Sequence, residues 1–310
     1  MAHTLSAMEG GFSLSRVFKR WHFRRKFRAG LVFLVGIGLG AALTGPPTAW
    51  AASFSELVDR ADAAFCERFV ESRMRESLAC YQMALDLEPL PVQSEAVVLS
   101  RLSQLCYELT TFSEGGTPQD RDLLEQGKDY GLRRLRLDPA FVQREEEDFE
   151  AAIGLVIDPA ALLWTAHNWG AHLSFSPLQG ILSVGKIMAM YERCLAIDEG
   201  YWGASAHSAL GAVLTVTPPP FGGDVERGRR HLEKAIALDR DYLESHVVYA
   251  QYWGFAYDFL GNVDGVRDRE LIERELKLVL EAPIGDWPFW NRVAKKEAQS
   301  LLGRLKADSP

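Results

Sequence analysis

A recurring helix ending is the feature that most restricts how this chain can fold. One five-residue pattern has Leu or Ile at its second and fourth positions and an acid at its fifth, and it occurs at residues 84–88, 134–138, 194–198 and 235–239. Apolar residues before these endings recur at spacings of three and four, as in Leu78, Tyr81 and Leu85. No hairpin signal separates alternating apolar runs. The sequence therefore predicts an all-α fold without strands.

A second landmark marks the helix before each ending. A large apolar residue precedes a small one at Trp169-Gly170, Leu210-Gly211 and Tyr249-Ala250. The small residue and the first position of the ending are 24 positions apart in two copies, from Gly170 to Cys194 and from Gly211 to Ala235. Both landmarks recur with a period of 41 residues. Paired helices with this repeat resemble the tetratricopeptide repeat, whose standard period is about 34 residues. We expect an α-solenoid of degenerate tetratricopeptide-like helical hairpins over residues 52–310, with helices beginning at Asp158 and Asp224.

The first 51 residues have the order of a secretory signal peptide. Seven Lys and Arg residues between Arg16 and Arg28 precede an apolar run over residues 29–43, and Ala49 and Ala51 form a small-x-small cleavage site. We expect cleavage after Ala51 and secretion of the rest of the chain. The alternative is an uncleaved membrane anchor, although the fifteen apolar residues are fewer than the roughly twenty of a membrane-spanning helix.

The rest of the chain is acidic. Residues 1–51 hold seven of the 34 Lys and Arg residues but one of the 42 Asp and Glu residues. Nucleic-acid binding requires a clustered basic face, so this charge distribution argues against a nucleic-acid partner. Four cysteines in 310 residues are too few for a disulfide scaffold, and whether any of them pair stays open.

Several segments resemble a known family. They are LWTAHNWGA at residues 163–171, GASAHSALG at 203–211, PPFGGD at 219–224 and VYAQYW at 248–253. From Ala160 to Leu302 the chain resembles the T-component family of TRAP transporters, tetratricopeptide-like proteins of tripartite ATP-independent periplasmic transport. The resemblance implies a non-catalytic periplasmic homo-oligomer, expected to be a trimer, that partners the substrate-binding protein of the transporter. It also implies a cavity or pore for a small organic, partly apolar ligand.

Aromatic and histidine side chains on the predicted first helices form the candidate wall of that cavity. The helix from Pro159 to about Phe175 is apolar on most sides, so its polar residues must find partners or line a wet cavity. An aromatic and histidine wall suits a ligand with an apolar body and a few polar atoms. The predicted wall residues are Trp164, His167, Asn168, Trp169, His172, His207, His246, Tyr249 and Trp253. The alternative is that these residues are packed core aromatics and histidines with satisfied hydrogen bonds.

No metal site, cofactor or catalytic group is predicted. The chain contains no His-Glu-x-x-His, so a zinc site would require His167, His207 and His246 to converge from three helices. It also contains no Gly-x-Ser-x-Gly and no P-loop, and we do not expect an enzyme. The alternative function is a general cell-envelope scaffold that binds peptides or proteins in its groove.

The turn from Pro218 to Gly223 carries an apolar side chain at its tip. Its three prolines stiffen the backbone, and Phe221 is expected to be exposed. We predict that Phe221 contacts another protomer or a partner protein. The alternative is a rigid turn between helices with no binding role.

Overall fold

The described part of the chain is built almost entirely from α-helices, which confirms the all-α prediction. A computed structural model describes residues 52–307 apart from residues 88, 114, 176 and 259–260. Within these residues, no helix is both long and apolar enough to cross a membrane. The predicted signal peptide, residues 1–51, lies outside the described residues.

Thirteen α-helices follow one another along the described residues. The first six are α1 (Phe54–Cys66), α2 (Glu71–Leu85), α3 (Val92–Leu109), α4 (Pro118–Leu135), α5 (Pro139–Glu145) and α6 (Phe149–Ile153). The other seven are α7 (Pro159–His172), α8 (Pro177–Ile197), α9 (Tyr201–Val216), α10 (Val225–Leu238), α11 (Glu244–Tyr252), α12 (Arg269–Glu281) and α13 (Trp290–Ala307).

Helices α2, α4, α8 and α10 end within the recurring sequence pattern, as predicted. The small first position of the pattern is fully buried at Ala84, Cys194 and Ala235, which suits a close approach between helices. The second copy along the chain has Arg134 there, and the Arg134 Nη2 donates to Oδ2 of Asp158 at 2.7 Å. That copy therefore replaces a small packing residue with an ion pair to the start of α7.

Side-chain caps fix where α7 and α10 begin, at the two predicted positions. The Asp158 carboxylate accepts a hydrogen bond from the Ala160 N–H at 2.9 Å, and the Asp224 carboxylate accepts from the Arg227 N–H at 2.9 Å. Such caps satisfy amide groups that have no partner inside the helix. Pro159 occupies the first turn of α7, where the missing N–H costs nothing.

Consecutive helices pack against each other along the chain, in the pairs α1 with α2, α3 with α4, α7 with α8, α9 with α10 and α11 with α12. Contacts of α4 with α7 and of α9 with α11 join these pairs. A Cβ atom on Gly211 would lie 2.7 Å from Cγ of Leu232, which is closer than two carbon atoms pack. The small residue after Leu210 therefore lets α9 and α10 approach closely, as the sequence predicts.

A short β-hairpin interrupts the helices, so the prediction of no strands is wrong. Strand β1 (Phe255–Tyr257) pairs antiparallel with β2 (Val263–Val266). Aromatic and β-branched side chains favour extended backbone at these positions, and Gly261 adopts a left-handed φ of 73° in the connection. Strands of three and four residues are too short to produce a clear alternating pattern in the sequence.

Two glycines allow α4 to approach α7. A Cβ atom on Gly127 would lie 2.8 Å from Nδ2 of Asn168, and one on Gly131 would lie 2.8 Å from Cβ of Thr165. Neither position has room for a larger residue unless the two helices separate.

We predict that Gly131→Ala destabilises the protein by about 1–3 kcal/mol, because the overlap with Thr165 outweighs the better helix propensity of alanine. Gly303→Ala is the matched control, since Gly303 is exposed in α13 and nothing surrounds the added Cβ atom. There the substitution should stabilise the protein by roughly 0.5–1 kcal/mol. Urea unfolding measures both changes, and a neutral or stabilising Gly131→Ala would contradict the close packing of α4 and α7.

Candidate functional site

A cavity of about 230 Å³ lies among α3, α4, α7, α8, α9, α11 and α13. Its wall combines aromatic rings, hydroxyl groups and carboxyl groups. The tyrosines of the wall are Tyr107, Tyr191, Tyr242 and Tyr252, and the acids are Asp120, Glu244 and Glu297. A cavity of about 150 Å³ holds benzene. This central cavity is therefore large enough for a small organic molecule.

His167 is the one residue of the predicted wall that lines the central cavity. Its Nδ1 lies 2.8 Å from the hydroxyl of Tyr191, and its Nε2 lies 3.1 Å from Oγ of Ser205. Burial lowers the pKa of His167 to about 3, so the imidazole is neutral at physiological pH. A neutral imidazole has one donor and one acceptor nitrogen, and here each nitrogen holds the hydroxyl of a neighbouring helix.

The buried tyrosines of the wall keep their protons. Burial raises the pKa values of Tyr191 and Tyr242 well above that of free tyrosine. Burial also raises the pKa of Tyr252, and the negative charges of Glu297 and Glu244 raise it further. The central cavity therefore presents neutral phenol groups beside carboxylates.

A left-handed turn places Ser205 on the wall of the central cavity. Trp202, Gly203 and Ala204 have φ angles of 52°, 64° and 57°, a region that costs a non-glycine residue about 1–2 kcal/mol. A Cβ atom on Gly203 would lie 2.8 Å from Cδ1 of Tyr242. Glycine is thus favoured at position 203 by the backbone angle and required there by the approach of the turn to a tyrosine of the cavity.

An aromatic cluster supports this turn. The Trp202 ring lies 5.2 Å from Trp164 and 5.6 Å from Trp287, both in edge-on geometry. Trp290 lies 6.3 Å from Tyr242 and lines the central cavity. Its Nε1 is buried and has no hydrogen-bond acceptor among the described residues. The wall therefore contains an indole donor that no acceptor in the described part of the chain satisfies.

Three further predicted residues pack between helices instead of lining the central cavity. The Asn168 Nδ2 donates to the backbone oxygens of Ser103 and Trp164, both at 2.8 Å, and Asn168 is fully buried. Trp169 packs edge-on against Phe149 at 5.8 Å. His172 is buried near Phe175, and burial lowers its pKa.

His207 belongs to a histidine pair between α9 and α10. Its Nδ1 lies 2.7 Å from Nδ1 of His231, and its Nε2 lies 3.2 Å from Oε1 of Glu199. Burial lowers both pKa values, that of His231 to about 4. In the neutral pair, Nε2–H of His207 donates to the Glu199 carboxylate. Its Nδ1 therefore accepts from Nδ1–H of His231.

His246 and Tyr249 line a second cavity of about 700 Å³ beside α10, α11 and α12. The His246 Nδ1 lies 2.7 Å from Oε2 of Glu275, and the Tyr249 hydroxyl donates to Oε1 of Glu233 at 3.0 Å. Trp253 lies nearby between two guanidinium groups, 4.8 Å from that of Arg229 and 4.6 Å from that of Arg267. The four acids of this second cavity are Glu233, Asp241, Glu275 and Asp286.

The three histidines considered for a zinc site do not converge. His167 binds hydroxyl groups in the central cavity, His207 binds His231, and His246 binds Glu275 in the second cavity. Among the described residues, no group of three or more His, Cys, Asp or Glu side chains could hold a metal ion.

Phe221 lies at the tip of the proline-rich turn. Residues Pro219–Phe221 form one turn of 3-10 helix, and Gly222 ends it with a φ angle of 94°. The Phe221 side chain is 37% exposed, as the sequence predicts. The turn thus places an apolar ring at the surface.

Sequence reasoning missed most of the wall of the central cavity, including its tyrosines and acids. One signal could have found part of it, because His167 and Tyr191 are 24 residues apart and so are His207 and His231. The same spacing of 24 positions separates the two sequence landmarks in the copies that contain Gly170 and Gly211. Residues separated by it face each other across a helical hairpin.

The helices and the cavity among them define an all-α protein with a cavity lined by aromatic, hydroxyl and carboxyl groups. A family model, the TRAP transporter T-component, matches residues 117–307. The match covers more than half of the chain, which therefore belongs to the TRAP transporter T-component family. This confirms the resemblance found in the sequence and supports an accessory role in TRAP transport, with a periplasmic or envelope location. No curated protein matches the chain.

We predict that acid destabilises the protein through His167. The unfolded histidine binds a proton near its ordinary pKa of 6.5, whereas the folded one binds it only near pH 3. The unfolded state thus holds more protons between these values, and the free energy of unfolding falls as pH falls through that window. His231 acts in the same direction.

Replacing His167 with Gln should make this pH dependence shallower. Tyr191→Phe is the matched control, because it removes the partner hydroxyl but keeps the buried imidazole. Urea unfolding at a series of pH values gives the slope. Equal slopes in the wild type and in His167→Gln would show that the buried imidazole does not control acid stability.

Proposed function

We propose that this protein is a non-catalytic accessory component that binds the substrate-binding protein of a TRAP transporter and holds a small organic ligand in the central cavity. One observation carries the proposal: most of the wall of that cavity, including His167, Tyr191 and Trp290, belongs to the segment matched by the family. The wall offers hydrogen-bond donors and aromatic surface, which is the usual character of a small-molecule site.

The proposal includes assembly and location. Residues 1–51 serve as a signal peptide, or as an uncleaved anchor, and the domain over residues 52–310 lies in the periplasm. Its helical hairpins stack as a tetratricopeptide-like solenoid, and the protein forms a homo-oligomer with a trimer as the expected state. The packing of consecutive helices and the close approach at Gly211 support this arrangement.

Ligand contacts are assigned according to the cavity that each predicted residue lines. His167 contacts the ligand in the central cavity, and Trp164 and Asn168 hold the helix that carries it. His246 and Tyr249 line the second cavity and provide contacts there. The other predicted residues, Trp169, His172, His207 and Trp253, lie outside the central cavity and are assigned no contact with its ligand.

The second candidate function is a cell-envelope scaffold for peptides, and the second cavity favours it. That cavity is larger than the central one and contains four acids against one arginine, Arg240. Such a surface would select basic peptides. The presence of TRAP permease and binding-protein genes next to this one would favour the transport role.

Native mass spectrometry of the protein purified from its own cell envelope tests the proposed function. We expect an oligomer that carries the substrate-binding protein of a TRAP transporter and a retained small molecule. The same measurement gives the number of subunits and the mass of the mature chain. A monomer that carries peptides and no substrate-binding protein would contradict the transport role and favour the scaffold.

We predict that Phe221→Ser weakens assembly, because it removes an exposed apolar ring from a stiff turn. The matched control is Val142→Ser, since Val142 is also an exposed apolar residue, at 43% exposure, but lies in α5. Light scattering measures the oligomer mass of both variants. If Phe221→Ser assembles like the wild type, Phe221 contributes nothing to the contact.

A further inference from the structure

The wall of the central cavity contains a chain of hydrogen-bonded side chains with one proton more than its bonds need. Tyr191 bonds to Nδ1 of His167 at 2.8 Å, Ser205 bonds to Nε2 at 3.1 Å, and all three residues line the cavity. A neutral imidazole supplies one proton to these two hydrogen bonds, so one of the two hydroxyl groups must supply the other. The remaining hydroxyl group accepts a hydrogen bond and keeps its own proton, which we call the spare hydroxyl proton.

The spare hydroxyl proton exists in either tautomer of His167. If Nδ1 carries the imidazole proton, the spare proton lies on Tyr191, and if Nε2 carries it, the spare proton lies on Ser205. The Ser205 side chain also interacts with the phenol of Tyr242, which lines the cavity as well. Within the described residues, Tyr191 and Ser205 have no other hydrogen-bond partner. One hydroxyl group of the wall is therefore left to donate to a ligand, whichever nitrogen is protonated.

Trp290 provides a second donor on the same wall. Its Nε1 is buried and meets no acceptor within the described part of the chain, and the residue is 5% exposed. The ring of Tyr107 connects the two donors, since it lies 6.2 Å from the ring of Trp290 and 4.9 Å from that of His167. A buried donor without an acceptor is unfavourable. A ligand that brings an acceptor to Nε1 removes this penalty.

These donors discriminate between classes of ligand. An ammonium group only donates hydrogen bonds, so it cannot accept from an indole N–H or a hydroxyl group. A carboxylate accepts, but it must lose its hydration shell, and none of the described lining residues is Lys or Arg. A carbonyl oxygen has two lone pairs and no net charge. It therefore matches the donors of the wall without the cost of dehydrating an ion.

We propose that the central cavity binds a small uncharged carbonyl compound, such as an amide or a lactam, of about ten heavy atoms or fewer. Its carbonyl oxygen accepts a hydrogen bond from Nε1 of Trp290, the spare hydroxyl proton donates to the same ligand, and its apolar part packs against the aromatic rings of the wall. This inference rests on the proposed function, in which the central cavity is the ligand site.

Isothermal titration of the full protein purified from its own cell envelope tests the ligand class. Cyclohexanecarboxamide, cyclohexanecarboxylate and cyclohexylmethylammonium share one ring and carry zero, negative and positive charge. The lactam δ-valerolactam serves as a second, smaller carbonyl probe. We expect at least one carbonyl probe to bind about tenfold or more tightly than either ion, because it alone offers an acceptor without the dehydration of a charge.

Two outcomes would overturn the assignment in the wild-type protein, with no variant required. The first is that either ion binds as tightly as both carbonyl probes. The second is that neither carbonyl probe produces heat at millimolar concentration. In both cases the central cavity is not a site for uncharged carbonyl compounds.

Replacing Trp290 with Phe removes the indole donor and keeps an aromatic ring. Trp290→Phe should weaken binding of the preferred carbonyl probe about tenfold, as expected for the loss of one hydrogen bond. Trp287→Phe is the matched control, since Trp287 does not line the central cavity and its Nε1 donates to Oδ2 of Asp239 at 3.0 Å. Circular dichroism confirms that both variants are folded. Equal affinity in the two variants would place the carbonyl group elsewhere and refute the proposal.

Proton–nitrogen NMR of the indole groups observes the proposed contact directly. Trp290→Phe identifies the Nε1–H signal of Trp290 among those of the eight tryptophans. A hydrogen bond to a carbonyl oxygen should move this proton signal downfield during titration of the wild-type protein. The Trp287 signal should change less, because that N–H is already bonded to Asp239. An unchanged Trp290 signal at saturating probe would contradict the proposal.

Failure of this inference differs from failure of the proposed function. Preference for the carboxylate or the ammonium probe overturns the carbonyl assignment, while a complex with the substrate-binding protein would still establish the accessory role. Conversely, carbonyl binding without such a complex would leave the site intact and remove its connection to TRAP transport.

Discussion

The burial of a few polar side chains on the apolar helix α7 is the constraint on which the rest of this structure depends. Helix α7 is buried along most of its length, and a buried polar group must be hydrogen-bonded to avoid a penalty of about 1–3 kcal/mol. Asn168 therefore binds the backbone of α3, and His167 binds hydroxyl groups of α8 and α9. Gly127 and Gly131 give α7 the space it needs against α4. The hydrogen bonds of α7 thus fix it against α3, α8 and α9, and the two glycines let it pack against α4.

The central cavity follows from this packing. His167 holds Tyr191 and Ser205 at its wall, and the left-handed turn at Gly203 brings α9 close to Tyr242. The protein itself therefore holds these wall groups in place, and such preorganisation would reduce the entropic cost of binding the ligand proposed above. The carboxyl groups of the wall come from α4, α11 and α13, so several parts of the fold supply its charge.

The sequence predicts the framework of the fold better than its cavity. Helix ends, the caps at Asp158 and Asp224 and the small packing positions are local patterns, and all of these are found in the structure. Which faces meet is not a local property. The spacing of 24 residues pairs His167 with Tyr191, but His246 meets Glu275 at a spacing of 29 residues. The left-handed turn and the β-hairpin depend on tertiary contacts that periodicity does not report.

Hydrogen exchange along the chain tests the central claim, that α7 is a buried support for the central cavity whose side chains hydrogen-bond to α3, α8 and α9. Exchange measured by mass spectrometry reports the free energy of local opening in each helix. The amides of α7 should exchange at least as slowly as those of any other helix, and far more slowly than those of α1, which leaves one face to solvent. Exchange in α7 as fast as in α1 would contradict the account.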